Sequence, residues 1–131
     1  MDSTYRFEFE GRYKPFLRLQ NITPDNSWVT VSDTHVRAVF GFARTSIALD
    51  NIQGVCLSGP YRGYRAIGTR LSLSDSGLTF GSTTVGGVCI EVKEPVRGVG
   101  PRKHRGVTLT VADRGGFAAD VRHRAGLDEA P

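Results

Sequence analysis

Apolar and polar residues alternate with a period of two along most of this chain, and that pattern limits its fold more than any other feature. Tyr5, Phe7 and Phe9 share one face, with Arg6, Glu8 and Glu10 on the other. Val29 and Val31 repeat the spacing after Trp28, and Val36, Ala38 and Phe40 alternate with His35, Arg37 and Val39. Ile47 and Leu49, Val55 and Leu57, Leu71 and Leu73, and Leu78 and Phe80 continue it. Val88, Ile90 and Val92 follow, and Val107, Leu109 and Val111 close the series. Successive residues of a strand point to opposite faces, so each stretch can bury one side and wet the other. Short runs rich in Val, Ile, Thr and Phe, broken by turn residues, predict an all-β fold: an antiparallel barrel or sandwich of about seven or more strands. The apolar residues named here should face inward.

The turns carry their own chemistry. In LSLSDSGLTF (Leu71–Phe80), Asp75-Ser76-Gly77 predicts a three-residue hairpin loop with Gly77 at positive φ. SDTH after Val31 and TTVGG before Val88 are further hairpin signals, and Asp50-Asn51 bends the chain ahead of Ile52. One helix is legible, at the end, where Phe117, Val121 and Ala125 recur at i, i+4 and i+8. Asp113 suits its N-cap, Arg122 and Arg124 its C-terminal dipole, and Gly126 its stop. Gly115 and Gly116 in the first turn each cost about 0.5–1 kcal/mol relative to alanine, so the helix must hold by docking its apolar stripe.

A barrel has two ends, and a helix with a few apolar residues can stopper one of them. TSIALDNIQGVCL, with Ile47, Leu49, Ile52, Val55 and Leu57, resembles the strand–turn–strand of bacterial pleckstrin-homology-like (PH-like) modules. TPDNSWVTV (Thr23–Val31), LSLSDSGLTF, GVCIEVKEPVRGVGP (Gly87–Pro101) and VTLTVAD (Val107–Asp113) are similar to segments of a group of small actinobacterial proteins. Together they span most of Thr23–Asp113. The resemblance implies a PH-like barrel capped by a C-terminal helix and brings no activity with it. Members often carry proline after the final Asp, where this chain has Arg114-Gly115-Gly116. The expected organisation is one domain over residues 1–131, with strands within 4–112, a helix at about 114–125 and a frayed tail at 127–131.

The search for catalytic chemistry gives little. Of the 131 residues, 39% are hydrophobic and 23% charged, the balance of a globular domain rather than a disordered chain. No apolar run approaches the ~20 residues needed to span a bilayer. MDSTYRFEFE lacks the basic start and apolar core of a secretory signal, so the expectation is a cytoplasmic protein, with peripheral membrane association left open. Cys56 and Cys89 form no CxxC pair and read as small, semi-buried hydrophobes. His35 on a polar strand face, His104 in a basic loop and His123 on the helix read as solvent-exposed, and none has a partner at metal-ligand spacing. Glu91 and Glu94 read as surface charge, and GSTTVGG lacks the Lys-Ser/Thr of a phosphate-binding loop and reads as a turn. No catalytic residue, metal ligand or cofactor is assigned, and an enzyme is not expected.

Two basic segments remain, at a formal net charge of +4. SGPYRGYRAIGTR (residues 58–70) holds Arg62, Arg65 and Arg70 beside Tyr61 and Tyr64. VRGVGPRKHRG contributes Arg97, Arg102, Lys103 and Arg105 within 97–106. Neither contains an acidic residue. Arginine beside tyrosine can grip a phosphate while the ring packs, and glycine lets backbone N–H groups approach an anion. The alternative is that charge only keeps exposed loops solvated. The reading that follows is a non-catalytic module holding an anionic lipid head group, a phosphate-bearing ligand or an acidic protein segment. A protein-interaction domain using a strand edge or strand–helix groove is the alternative, and an enzyme or carrier with a barrel cavity a third. With no recognition helix or aromatic sheet face evident, sequence-specific nucleic-acid binding is not expected.

Overall fold

The computed structural model describes residues 2–59, 67–72, 77–98 and 103–127. Four strands, β1 (Ser3–Arg6), β2 (Ser27–Val31), β3 (His35–Phe40) and β4 (Ala43–Ala48), form an antiparallel meander in the order β1-β2-β3-β4. A second sheet contains β5 (Ile52–Ser58), β6 (Gly68–Ser72), β7 (Gly77–Gly81), β8 (Gly87–Val96) and β9 (His104–Leu109), in the order β5-β8-β9-β7-β6. The protein is thus mostly β, with a C-terminal helix α2 (Arg114–Arg124).

Alternation places the core between the sheets. Val29, Val31, Val36, Ala38, Phe40 and Ile47 are buried from the first sheet, and Leu78, Phe80, Val88, Ile90, Val107 and Leu109 from the second. The Phe40 and Phe80 rings stack across the gap, with centroids 5.2 Å apart and planes 11° from parallel, and Phe7 packs on Phe40 at 4.9 Å. Between the sheets the chain turns at Leu49–Asn51, where Asp50-Asn51 was expected to bend it. Asn51 fixes the bend by donating to the Glu94 carbonyl and accepting from the Glu94 N–H. The SDTH turn also forms a hairpin, closed by Ser32 N–H donating to the His35 carbonyl.

Several expectations are corrected. Strands β7 and β9 run parallel, so the second sheet is mixed. Because β9 lies between β7 and β8, TTVGG is a crossover and not a hairpin. Gly77 opens β7 opposite Ser72, so the connection is residues 73–76, which lie outside the described residues, rather than Asp75–Gly77. Leu57 sits on edge strand β5 and stays 55% exposed, because no further strand covers it. Among the described residues the sheets are bridged by the Phe7–Val111 pair, and no ladder closes them into a barrel. A short helix, α1 (Lys14–Leu19), was not expected, nor was it visible in period two. Pro15 in its first turn presets φ, and Tyr13 and Leu17 at i, i+4 bury against the core.

Helix α2 forms as the sequence requires. The Asp113 carboxylate accepts from Gly116 N–H at 3.1 Å. At the other end Gly126 takes φ 74°, Gly126 N–H reaches the His123 carbonyl and Leu127 N–H the Arg122 carbonyl, a Schellman close. Phe117 and Val121 are fully buried, and Tyr5 meets Phe117 edge-on at 5.1 Å. The Tyr5 hydroxyl donates to Asp120 at 2.7 Å, and Arg124 binds Asp120 and Asp33. Burial, with the hydrogen bond to Asp120, pushes the Tyr5 hydroxyl up to about 12. Arg122 donates twice to the Val55 carbonyl, which fastens the helix to β5. We predict that Phe117→Ala lowers stability by about 3–5 kcal/mol in urea melts. A loss below about 1 kcal/mol would mean that the ring adds little to the core.

Candidate functional site

The two basic segments are anchored by the register of the second sheet. Ser58 pairs with Gly87 and Gly68 with Gly81, so residues 59–67 leave and re-enter at one end. Val96 pairs with His104 at the other end, roughly 20 Å away over six residues of β9 at ~3.3 Å each. Tyr61, Arg62, Tyr64, Arg65 and Arg102 lie outside the described residues. Arg70 occupies β6 opposite Thr79, while Arg97, Lys103 and Arg105 are exposed around the β8–β9 connection.

The roots of the segments nevertheless meet. Past Val96 the chain turns inward, where Thr45 Oγ1 donates to the Arg97 carbonyl at 2.9 Å. A Cβ added to Gly98 would stand 2.7 Å from Leu78 Cδ2 and 3.1 Å from His104 Cδ2, so the backbone runs in contact with both side chains. Gly98 and Thr69 then line one open groove of about 410 Å³, with Gln20, Ile22, Phe40 and Phe42. It opens where β4 ends one sheet and β6 the other. Arg70 and Arg97 neighbour Thr69 and Gly98 in sequence, so the groove joins an arginine-bearing end of each segment. Phe42, 81% exposed, stands at the rim, and Leu19 at the end of α1, 88% exposed, precedes the lining residue Gln20 in sequence. Sequence reasoning missed both, because neither belongs to an alternating run.

Other candidates resolve into structure. His104 is corrected from a solvated loop residue to a buried one, 2% exposed, because Gly98 covers its ring. His35 is half-buried beside the Thr34 hydroxyl, and His123 is exposed. Cys56 and Cys89 face each other across β5 and β8, which their separation in sequence hides. Cys89 is half-buried, while Cys56 is exposed on the edge strand, contrary to expectation. Burial pushes the Cys89 thiol up, which disfavours the reactive thiolate. Among the described residues no three of His, Cys, Asp and Glu gather as a metal site. No helix among them is long and apolar enough to cross a membrane.

The GSTTVGG turn is held by a carboxylate. Glu10 Oε1 accepts from Thr84 N–H at 2.5 Å and from the Thr83 and Thr84 hydroxyls at 2.7 Å each, and Arg12 pairs with Oε2 at 3.1 Å. The Thr84 N–H leads the cause that holds Glu10 at about 2, well below the usual carboxylate range. A depressed carboxylate stabilises the fold above its unfolded value and loses that contribution as pH falls through the folded one. Glu10→Gln should therefore melt below the wild type at neutral pH, and the difference should shrink as pH falls from 4.5 to about 2. Parallel melting curves across that window would contradict the anchoring role.

Comparison with protein-family models, with curated proteins and with solved structures finds no match.

Proposed function

We propose that this chain is a non-catalytic binding module of PH-like design, in which the groove shared by the two basic segments receives an anionic group. The observation that carries the reading is that Thr69 of one acid-free segment and Gly98 of the other line the same opening. One antiparallel and one mixed β layer with a docked C-terminal helix support the PH-like reading. Arg70 and Arg97 adjoin the groove-lining Thr69 and Gly98 in sequence, and Lys103 and Arg105 belong to the same 97–106 segment. Gly98, without a side chain, would let an anion's oxygens approach the backbone where it lines the groove. Lipid head group, free phosphate ligand and acidic protein segment share this chemistry. A second reading, a protein-interaction surface, is favoured by the exposed Phe42 at the groove.

The test is association with inorganic polyphosphate and with phosphatidylserine vesicles across a salt series. Binding should weaken steeply as the Debye length falls from ~30 Å at 0.01 M to ~8 Å at 0.15 M. At about 1 kcal/mol per arginine near an anionic surface, Arg70→Glu with Arg97→Glu should cost at least roughly tenfold. The melting temperature should stay close to wild type, as for surface substitutions in general. Equal binding by variant and wild type would refute the anion site. Salt-tolerant binding of a peptide, lost in Phe42→Ala, would favour the second reading.

A further inference from the structure

Among the described residues no helix packs over the outer face of the first sheet, whose charge is of one sign. Its outward positions alternate with the buried ones: Thr4 and Arg6 on β1, Trp28 and Thr30 on β2, His35, Arg37 and Val39 on β3, and Arg44, Ser46 and Ala48 on β4. Register lines them up. Arg6 stands opposite Trp28, Trp28 opposite Val39 and Val39 opposite Arg44, a row crossing all four strands. At ~4.8 Å per strand the row is about 14 Å long. Arg37 lies in the neighbouring row, opposite Thr30 and Ser46.

Arg6, Arg37 and Arg44 are exposed, and Trp28 and Val39 are half-buried. No outward position of the four strands carries Asp or Glu; Asp2, Glu8, Asp25, Asp33 and Asp50 stand beyond the strand ends. Among the described residues, Arg37 and Arg44 pair with no carboxylate, and Arg6 makes one long contact, 3.5 Å to the Pro24 carbonyl. The second sheet's outer side is different, since Glu91 lies beside Lys93 and Arg105 there.

We infer that this face binds single-stranded polynucleotide, with bases stacking on Trp28 and phosphates on Arg6, Arg37 and Arg44. A flat, basic, acid-free surface around one aromatic ring suits a flexible polyanion that carries π-faces, and stacking with backbone charge contacts is sequence-tolerant. A bilayer would need protruding apolar anchors. The strongly exposed ones, Leu19 and Phe42, lie outside these outward positions. The face and the groove lie on different sides of β4, because Arg44 points out where Ala43 lines the groove.

Trp28 is the single tryptophan of the chain, so its fluorescence reports on the face directly. Oligouridylate and oligothymidylate of roughly twelve nucleotides are titrated at low salt, beside a duplex of equal length and phosphatidylserine vesicles. The single strands should quench Trp28, with the duplex bound at least roughly tenfold more weakly. Three phosphate contacts predict a log–log salt slope of about −2, falling to about −0.7 in Arg37→Ala with Arg44→Ala. Trp28→Leu should lower affinity by roughly five- to a hundred-fold, as measured by anisotropy, while Trp28→Phe retains most of it. Equal quenching by the two oligomers assigns the face to either sugar, and a preference identifies RNA or DNA. Arg70→Glu with Arg97→Glu should leave the quench intact, which separates this face from the groove. The inference is overturned if the single strands cause no quench, if the arginine pair changes neither affinity nor slope, or if only vesicles engage the face.

Discussion

The stack of Phe40 on Phe80 is the contact on which the other features depend. It joins the inner faces of two sheets that share a single backbone bridge among the described residues, and the flanking valines and isoleucines pack around it. Buried rings contribute through area removed from water, and a stacked pair adds about 0.5–1.5 kcal/mol beyond it. Once these faces are committed inward, period two dictates what remains outside. Arg37 and Arg44 are exposed because Ala38 and Thr45, next to them on β3 and β4, are not.

The same commitment leaves unlike openings at the sheet margins. Near β1 and β5 the space is filled by α2, whose Phe117 meets Tyr5 and whose Arg122 caps the Val55 carbonyl. At the margin between β4 and β6 no helix docks among the described residues, and a groove lined by Gln20, Ile22, Phe42, Thr69 and Gly98 persists. One antiparallel and one mixed layer are thus closed by a helix on one side and carry an open groove on the other.

Much of the fold was legible because alternation is a local property. The buried alternating residues of β2–β4 and β7–β9, the turn at Asp50-Asn51 and both caps of α2 follow from spacing and turn chemistry alone, whereas Leu57 is exposed and the Leu71 and Leu73 side chains lie outside what the structure describes. The parallel β7–β9 pair was hidden, because pairing partners depend on distant chain and not on any residue in β7. Helix α1 was hidden because six residues are too few to display a 3.6-residue period. His104 read as solvated among Arg102, Lys103 and Arg105, since its burial comes from Gly98 crossing above it. The charge of the two segments was plain in the sequence. That Thr69 and Gly98 share an opening was not, because it requires the inward turn held by Thr45. The basic face was likewise unread, since Arg6, Trp28, Val39 and Arg44 align only through register.

The central claim is that two segments remote in sequence form one anion-binding entrance. An amide-resolved NMR titration with inorganic polyphosphate at low salt tests it most directly. The account predicts that the Thr69 and Gly98 amides shift together along one binding isotherm and recover when salt is added. Shifts at only one of them, separate isotherms for the two, or no shift at either would contradict it.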